Sequence, residues 1–474
     1  MTQPSADRER LDPAFVRLAL VMLTGVLAVV FDTTIVNIAL DTLGRQLGVP
    51  VSTVQWVTTG YLLALGMAVP LTSWLTGRFG GKRVWMYALA LFLAGSVGAS
   101  LAPGAPALIA FRVVQGAGGG LMLPVMQTLL FRAAGGRSLG RATAVIALPA
   151  LLGPILGPVA GGLIVEHLDW RWIFWVNVPF CVAGLVLAWR FMPSGDRDRE
   201  ASLDGVGLAL LSPGIAAVVF GLSRVGAAGG FGHAEVLVPL VAGGALVAAF
   251  AVRAITMDGM PLVDVRLLRV PSFGAASALM FLSGFVLYGA MLLVPLYFQQ
   301  VRGQDALTAG LLLAPQGVGL LLTRTPAGLL TDRLGARPVA VAGLAVTALG
   351  TLPFALAGTA TGTWWLMAAL VVRGAGLGAV TIPIMTSAYE GLAHEQVPHA
   401  SVITRTLQQI GGSFGTAVLA VVLERELAGH RGGGPAGAAA AFGDAFWWSV
   451  GFTALALVVS AWLPSRLTRR AAAR

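Results

Sequence analysis

Leu75-Thr-Gly-Arg-Phe-Gly-Gly-Lys-Arg-Val84 returns later in the chain as Leu330-Thr-Asp-Arg-Leu-Gly-Ala-Arg-Pro-Val339, aligned without a gap. Each copy lies between the second and third apolar runs of a block of six. A second echo joins Gln115-Gly-Ala-Gly118 to Arg373-Gly-Ala-Gly376, in the fourth run of each block. Repetition over this distance predicts two six-helix halves of parallel topology.

The composition says what surrounds those halves. The 474 residues are 57% hydrophobic and only 11% charged, against roughly 25% charged in soluble domains. Mean hydropathy is +0.82. The expected medium is a lipid bilayer. A spanning helix needs about 20 apolar residues. Runs of that length fall at 15–40, 53–76, 84–102, 106–130, 142–165, 172–191, 205–224, 234–254, 273–299, 307–330, 338–358, 363–388, 400–424 and 444–463. The prediction is an all-α integral membrane protein of fourteen transmembrane helices. A six-helix bundle spans 15–191, a linker with an inserted helix pair 192–272, and a second six-helix bundle 273–463, with tails at 1–14 and 464–474. The first run is too long for a signal-peptide core and reads as a retained anchor. The stretch Gly429 to Ala441, rich in glycine and alanine, reads as a flexible outer loop.

Of the 31 basic residues, Arg45, Arg171, Arg224, Arg302, Arg425 and Arg431 fall on one side of the predicted helices. Arg112, Arg324, Arg373 and Arg405 lie within helices, and the other 21 share the opposite side. Basic loops stay cytoplasmic, which places both termini in the cytoplasm and the chain in the cytoplasmic membrane. No basic cluster carries interleaved aromatics, so the net charge of +10 reads as membrane orientation and not nucleic-acid binding.

One acid, Asp32, sits inside the first run. An ionised aspartate in mid-helix costs about 2.5–3.5 kcal/mol on insertion scales, so it should face protein or water. Counted from the outer ends of their helices, Asp32 and Arg112 lie roughly 12 and 9 Å deep. The two charges can meet. Either they form a permanent clasp between helices, or Asp32 gains and loses a proton, since burial favours a neutral carboxyl and a nearby cation a charged one.

Enzyme readings fail on spacing. His394-Glu-Gln-Val-Pro-His399 has its histidines five apart with Pro398 between them, which is not zinc-protease geometry. Gly116-Ala-Gly-Gly-Gly120 lies inside an apolar helix with no βαβ context, and Gly80-Gly81-Lys82 lacks the upstream glycine of a phosphate loop. No cofactor, metal or catalytic residue is expected. Cys181 is the only cysteine, so no intrachain disulfide forms.

Together the motifs resemble the major facilitator superfamily, and within it the fourteen-helix drug:proton antiporters. Asp32-Thr-Thr-Ile-Val-Asn37 is similar to the family's first-helix motif, whose acid is associated with proton coupling. Residues 75–83 and 330–337 resemble its loop signature and the repeat of that signature, and Arg112-Val-Val-Gln-Gly116 its fourth-helix motif. Gly153-Pro-Ile-Leu-Gly-Pro-Val-Ala-Gly-Gly162 resembles the fifth-helix motif that marks exporters. Trp170-Arg-Trp-Ile-Phe-Trp-Val-Asn-Val-Pro179 and Pro261-Leu-Val-Asp-Val-Arg-Leu-Leu-Arg269 resemble motifs of the fourteen-helix group. Two departures stand out: Gly77 replaces the usual acid that Asp332 keeps, and Arg405 and Gln408 exchange the family's usual base and amide.

The resemblance implies a monomer that exports small amphipathic compounds in exchange for protons. Proton-coupled uptake and a non-transporting receptor or scaffold remain alternatives. Asp32 and Arg112 would couple protons. Trp56, Tyr61, Gln115, Tyr288, Gln316, Arg405 and Gln408, polar or aromatic groups within apolar helices, would line the cargo cavity. Arg78, Gly80, Lys82, Arg83, Asp332, Arg333, Gly335 and Arg337 would gate the inner face, with the basic groups on helix C-termini or acids. Gly153, Gly157 and Gly161 form a smooth face for close helix approach, with Gly162 beside it. Pro154 and Pro158 permit bending. A hinge and plain tight packing both fit that fifth helix.

Overall fold

A computed structural model describes residues 13–49, 51–134, 161, 163–164, 167–193, 202–257, 259–393, 395–430 and 433–464. Among the described residues the secondary structure is helical throughout. The first half comprises α1 (Pro13–Leu47), α2 (Val51–Ala68), α3 (Leu71–Phe79), α4 (Gly81–Ser100), α5 (Ala105–Ala134), α6 (Trp172–Trp175) and α7 (Asn177–Phe191). Next come α8 (Gly205–Ala228) and α9 (Ala234–Thr256). The second half comprises α10 (Pro271–Gln300), α11 (Ala306–Leu311), α12 (Ala314–Leu334), α13 (Ala336–Ala355), α14 (Thr363–Tyr389), α15 (Val397–Gly429) and α16 (Gly434–Ser460). Among the described residues, eleven helices are long and apolar enough to cross a membrane, and up to twelve if α2 and α3 count as one bent span.

Local chemistry explains the breaks. Pro70 has no N–H to continue the helix, and α2 and α3 meet there at 56°. Gly80, at φ +80°, turns the chain from α3 into α4 in a single residue. Gly335, at φ +93°, does the same between α12 and α13. A side chain would strain either position, which accounts for a glycine in both copies of the repeat. Outside the repeat, α16 begins at Gly434, so most of the predicted flexible loop from Gly429 to Ala441 is helix. Its run of alanines is a strong helix former, and that outweighs the flanking glycines.

The repeat extends into packing. Gly95 of α4 stands against Gln115 of α5, where an added Cβ would lie 2.6 Å from the Gln115 nitrogen. Gly350 of α13 meets Arg373 of α14 in the same way. Gly116 abuts the Tyr61 carbonyl, and Gly374 the Gln316 carbonyl. The two halves are therefore built to one helix-packing plan, with backbones brought together at small residues.

Among the described residues, the halves share an apolar core at one end. That cluster includes Phe15, Trp85 and Phe131 from the first half and Ile384, Tyr389 and Ile403 from the second. The Phe131 and Tyr389 rings stack at 3.9 Å, and Thr128 and Ser401 hydroxyls hydrogen-bond at 3.1 Å. At the opposite end each half keeps its own core, one around Leu43, Val57 and Trp170 and the other around Phe298, Phe354 and Phe446. Beside the seam, α8 touches both halves: Ser212 donates to the Met67 carbonyl at 2.8 Å, and Leu222 and Val225 cluster with Ala417 and Val421 of α15.

Candidate functional site

Asp32 of α1 is fully buried at the centre of a polar cluster. Arg112 of α5 donates to its Oδ2 at 2.5 Å. Its Oδ1 accepts from Gln115 Nε2 at 3.0 Å and from Asn177 Nδ2 at 3.1 Å. Gln115 and Asn177 also converge on Ser96 Oγ, at 3.2 and 3.1 Å, and Ser96 donates to the Phe174 carbonyl at 2.9 Å. Arg112 is held on its other sides by the Val57 carbonyl at 3.0 Å and Gln115 Oε1 at 2.7 Å, and it lies over the Tyr61 ring at 4.0 Å. Residues of α1, α2, α4, α5, α6 and α7 thus meet in one cluster, with α5 and α7 bonding the carboxylate directly. Removing either partner of such a pair leaves a buried charge uncompensated, typically a loss of about 3–5 kcal/mol.

The second half repeats the frame with different chemistry. Arg373 stands where Gln115 stands, each facing its matching glycine, and Thr351 follows Gly350 as Ser96 follows Gly95. Arg373 is fully buried and donates to Gln316 Oε1 at 2.6 Å, the Val286 carbonyl at 3.0 Å and Thr351 Oγ1 at 3.2 Å. All three acceptors are neutral. No carboxylate among the described residues pairs with it.

The remaining sequence candidates separate into groups. Arg405 donates to Gln408 at 3.1 Å on α15 and is part-buried. Gln316 is committed to Arg373, and Tyr288 is 37% exposed beside Gly412. Trp56 stacks on Phe220 of α8 at 5.9 Å, which places it at the contact with the middle helices. Lys82 donates to the Trp189 and Met192 carbonyls, both at 2.8 Å, and Arg337 to the Leu463 carbonyl at 2.9 Å. These bases hold carbonyls at helix C-terminal ends, and each contact stays inside its own half. Arg83, Asp332 and Arg333 are exposed, and Arg78 is part-buried. Gly161 is helical and buried, whereas Gly153, Pro154, Gly157, Pro158 and Gly162 lie outside the described residues.

Ser96 and Asn177 complete the Asp32 cluster without having been singled out in the sequence. Asn177 lies inside the quoted Trp170–Pro179 motif, and a buried amide in an apolar helix was the available signal. Ser96 had none, because a helical serine is as readily satisfied by its own backbone.

Two repeat-related helical halves, the first holding a buried acid–base cluster, match the architecture of one class of membrane transporters. The model of the Major Facilitator Superfamily matches residues 22–416, and the chain belongs to that superfamily. It is 38% identical over 420 residues to the "Multidrug resistance protein B homolog" of Mycobacterium tuberculosis, covering 88% of this chain and 77% of that protein. It is 32% identical over 393 residues to the "Lincomycin resistance protein LmrB" of Listeria monocytogenes, covering 83% of each. The solved proton:xylose symporter XylE shares the fold at 16% identity, with a TM-score of 0.61 over 95% of this chain and 96% of that one. The family is one of membrane transporters, not enzymes.

Proposed function

We propose that the chain exports small amphipathic compounds, drugs among them, across the cytoplasmic membrane in exchange for protons, by alternating access. The cluster at Asp32 is the observation that carries this reading. It joins α1, α4, α5 and α7 through a carboxylate whose bonds to Arg112, Gln115 and Asn177 depend on its charge. Protonation weakens all three acceptor contacts and frees the helices to shift. The shared core at the end carrying the basic loops, with separate cores at the other, supports an outward-facing state for the halves. The names of the relatives support drugs as cargo.

In this reading the protein is a monomer with both termini cytoplasmic. It has fourteen spans: the twelve above, α12 with its internal Arg324, and the run at 142–165. The glycines and prolines of that last run act as the hinge between halves. Lys82 and Arg337 stiffen the inner ends of their bundles, and the halves rock against each other as two bodies.

A second reading has its own observation. Asp32 has no exposed surface, which equally fits a permanent clasp with Arg112. Reconstitution into liposomes with an imposed pH gradient and a panel of labelled compounds tests the first. Gradient-dependent accumulation in inside-out vesicles supports export, and no such flux for any compound refutes it.

A further inference from the structure

The halves share a frame but not a charge balance. Arg112 is neutralised by Asp32. Arg324, Arg373 and Arg405, all within second-half helices, have no carboxylate within ion-pair distance among the described residues. Arg373 is satisfied by neutral acceptors, so its charge stays uncompensated. Arg405, part-buried, lies within electrostatic reach of the Tyr61 hydroxyl of the first half, and among the described residues it donates to the neutral Gln408. Arg324 is 6% exposed, and its buried Nη1 has no hydrogen-bond partner among the described residues. A buried guanidinium left unpaired is unfavourable, and arginine's planar fork matches carboxylates and other oxyanions. The buried positive charge lacks its anion.

Resting on the export reading above, we infer that the cargo supplies the anion: the preferred substrates are amphipathic organic anions, such as carboxylates or sulfonates, held by Arg405 and drawn by the positive second half. Arg324 offers a further open donor on α12. An apolar cavity with a few well-placed polar groups suits the hydrophobic body of such a molecule.

Charge balance gives this inference a signature. One turn of the cycle carries one proton inward, the number Asp32 can hold, and one monoanion outward. That moves two positive charges inward, so a membrane potential alone drives the cycle. Exchange of a monocation for one proton moves no net charge.

The test uses inside-out proteoliposomes and three fluorescent compounds of matched ring size, one carboxylate, one neutral and one quaternary ammonium. The expected result is accumulation of the carboxylate under a lumen-positive potassium diffusion potential, set with valinomycin, at zero pH gradient. Arg405→Gln lowers the carboxylate-to-neutral flux ratio about tenfold, and Arg405→Lys, which keeps the charge but not the planar fork, restores only part of it. Melting curves for both variants report folding. Gradient-driven accumulation of the quaternary ammonium without the carboxylate overturns the inference and leaves export standing. Flux of none of the three overturns both. Carboxylate flux indifferent to potential, or unchanged in Arg405→Gln, overturns the inference alone.

Discussion

Gly95→Ala perturbs the functional cluster without touching any charged group. The new Cβ would lie 2.6 Å from the Gln115 nitrogen and Cβ, and 2.7 Å from its Cα. Ordinary carbon contacts need about 3.5–4.0 Å, so α4 and α5 must separate locally by roughly 1 Å. Gln115 Nε2 now lies 3.2 Å from Ser96 Oγ, and that bond does not survive such a shift. Overpacking costs about 1–3 kcal/mol, and a lost hydrogen bond about 0.5–1.5 kcal/mol, giving a destabilisation of roughly 2–4 kcal/mol. Gly77→Ala is the matched control, because a Cβ there meets nothing within 4 Å. In the last turn of α3 it should stabilise by less than the value of about 1 kcal/mol for a helix interior. Melting temperatures of the purified variants, followed by tryptophan fluorescence, read both. Export by the Gly95 variant should fall with its stability, because Gln115 holds Asp32. A Gly95→Ala protein that melts with wild type refutes the close-packed geometry of α4 on α5, and with it the common plan of the two halves.

Two further outcomes follow from contacts near the membrane ends. Lys82→Ala loses both carbonyl contacts at the end of α7; with water competing at this half-exposed site, the melting curve should report a loss of about 1 kcal/mol, and Lys82→Arg should recover part of it. Asp204 caps α8, and although burial raises its carboxyl, hydrogen bonds from Gly207 and Leu262 N–H groups and from Arg253 hold it below the ordinary value of 3.8. Its stabilisation is therefore complete above that value and fades as pH falls through the depressed one. A series of melts below about pH 5 should show wild type losing stability more steeply than Asp204→Asn, and parallel curves would contradict the assignment.

The sequence carried the repeat because its two copies hold a backbone requirement, a left-handed glycine between helices, that no other residue meets easily. It carried the meeting of Asp32 and Arg112 because helical rise converts residue counts into depth. It did not reveal what surrounds them. Ser96 and Asn177 act through a convergence of α4 and α7 that no local pattern encodes. Nor does any local pattern show that Trp56 stacks on Phe220, which comes from a helix more than 150 residues away. Lys82 and Arg337 have the right chemistry for helix C-termini, yet only tertiary structure shows that they clasp their own halves. The break at Pro70 was written in the chain, while the helix starting at Gly434 was hidden by glycines that suggested a loop.

Asp32→Asn offers the most direct test, because it keeps the side chain's shape and removes its titratable charge. Wild-type and variant proteins in liposomes should be compared for uphill accumulation under a pH gradient and for downhill counterflow of the same compound. Counterflow confirms that the variant is folded and that its cavity works. The account predicts that Asp32→Asn retains counterflow and loses at least about nine-tenths of the gradient-driven accumulation, a tenfold effect equal to about 1.4 kcal/mol of coupling. Wild-type accumulation by Asp32→Asn would show that Asp32 and Arg112 are a fixed clasp and that the coupling proton binds elsewhere.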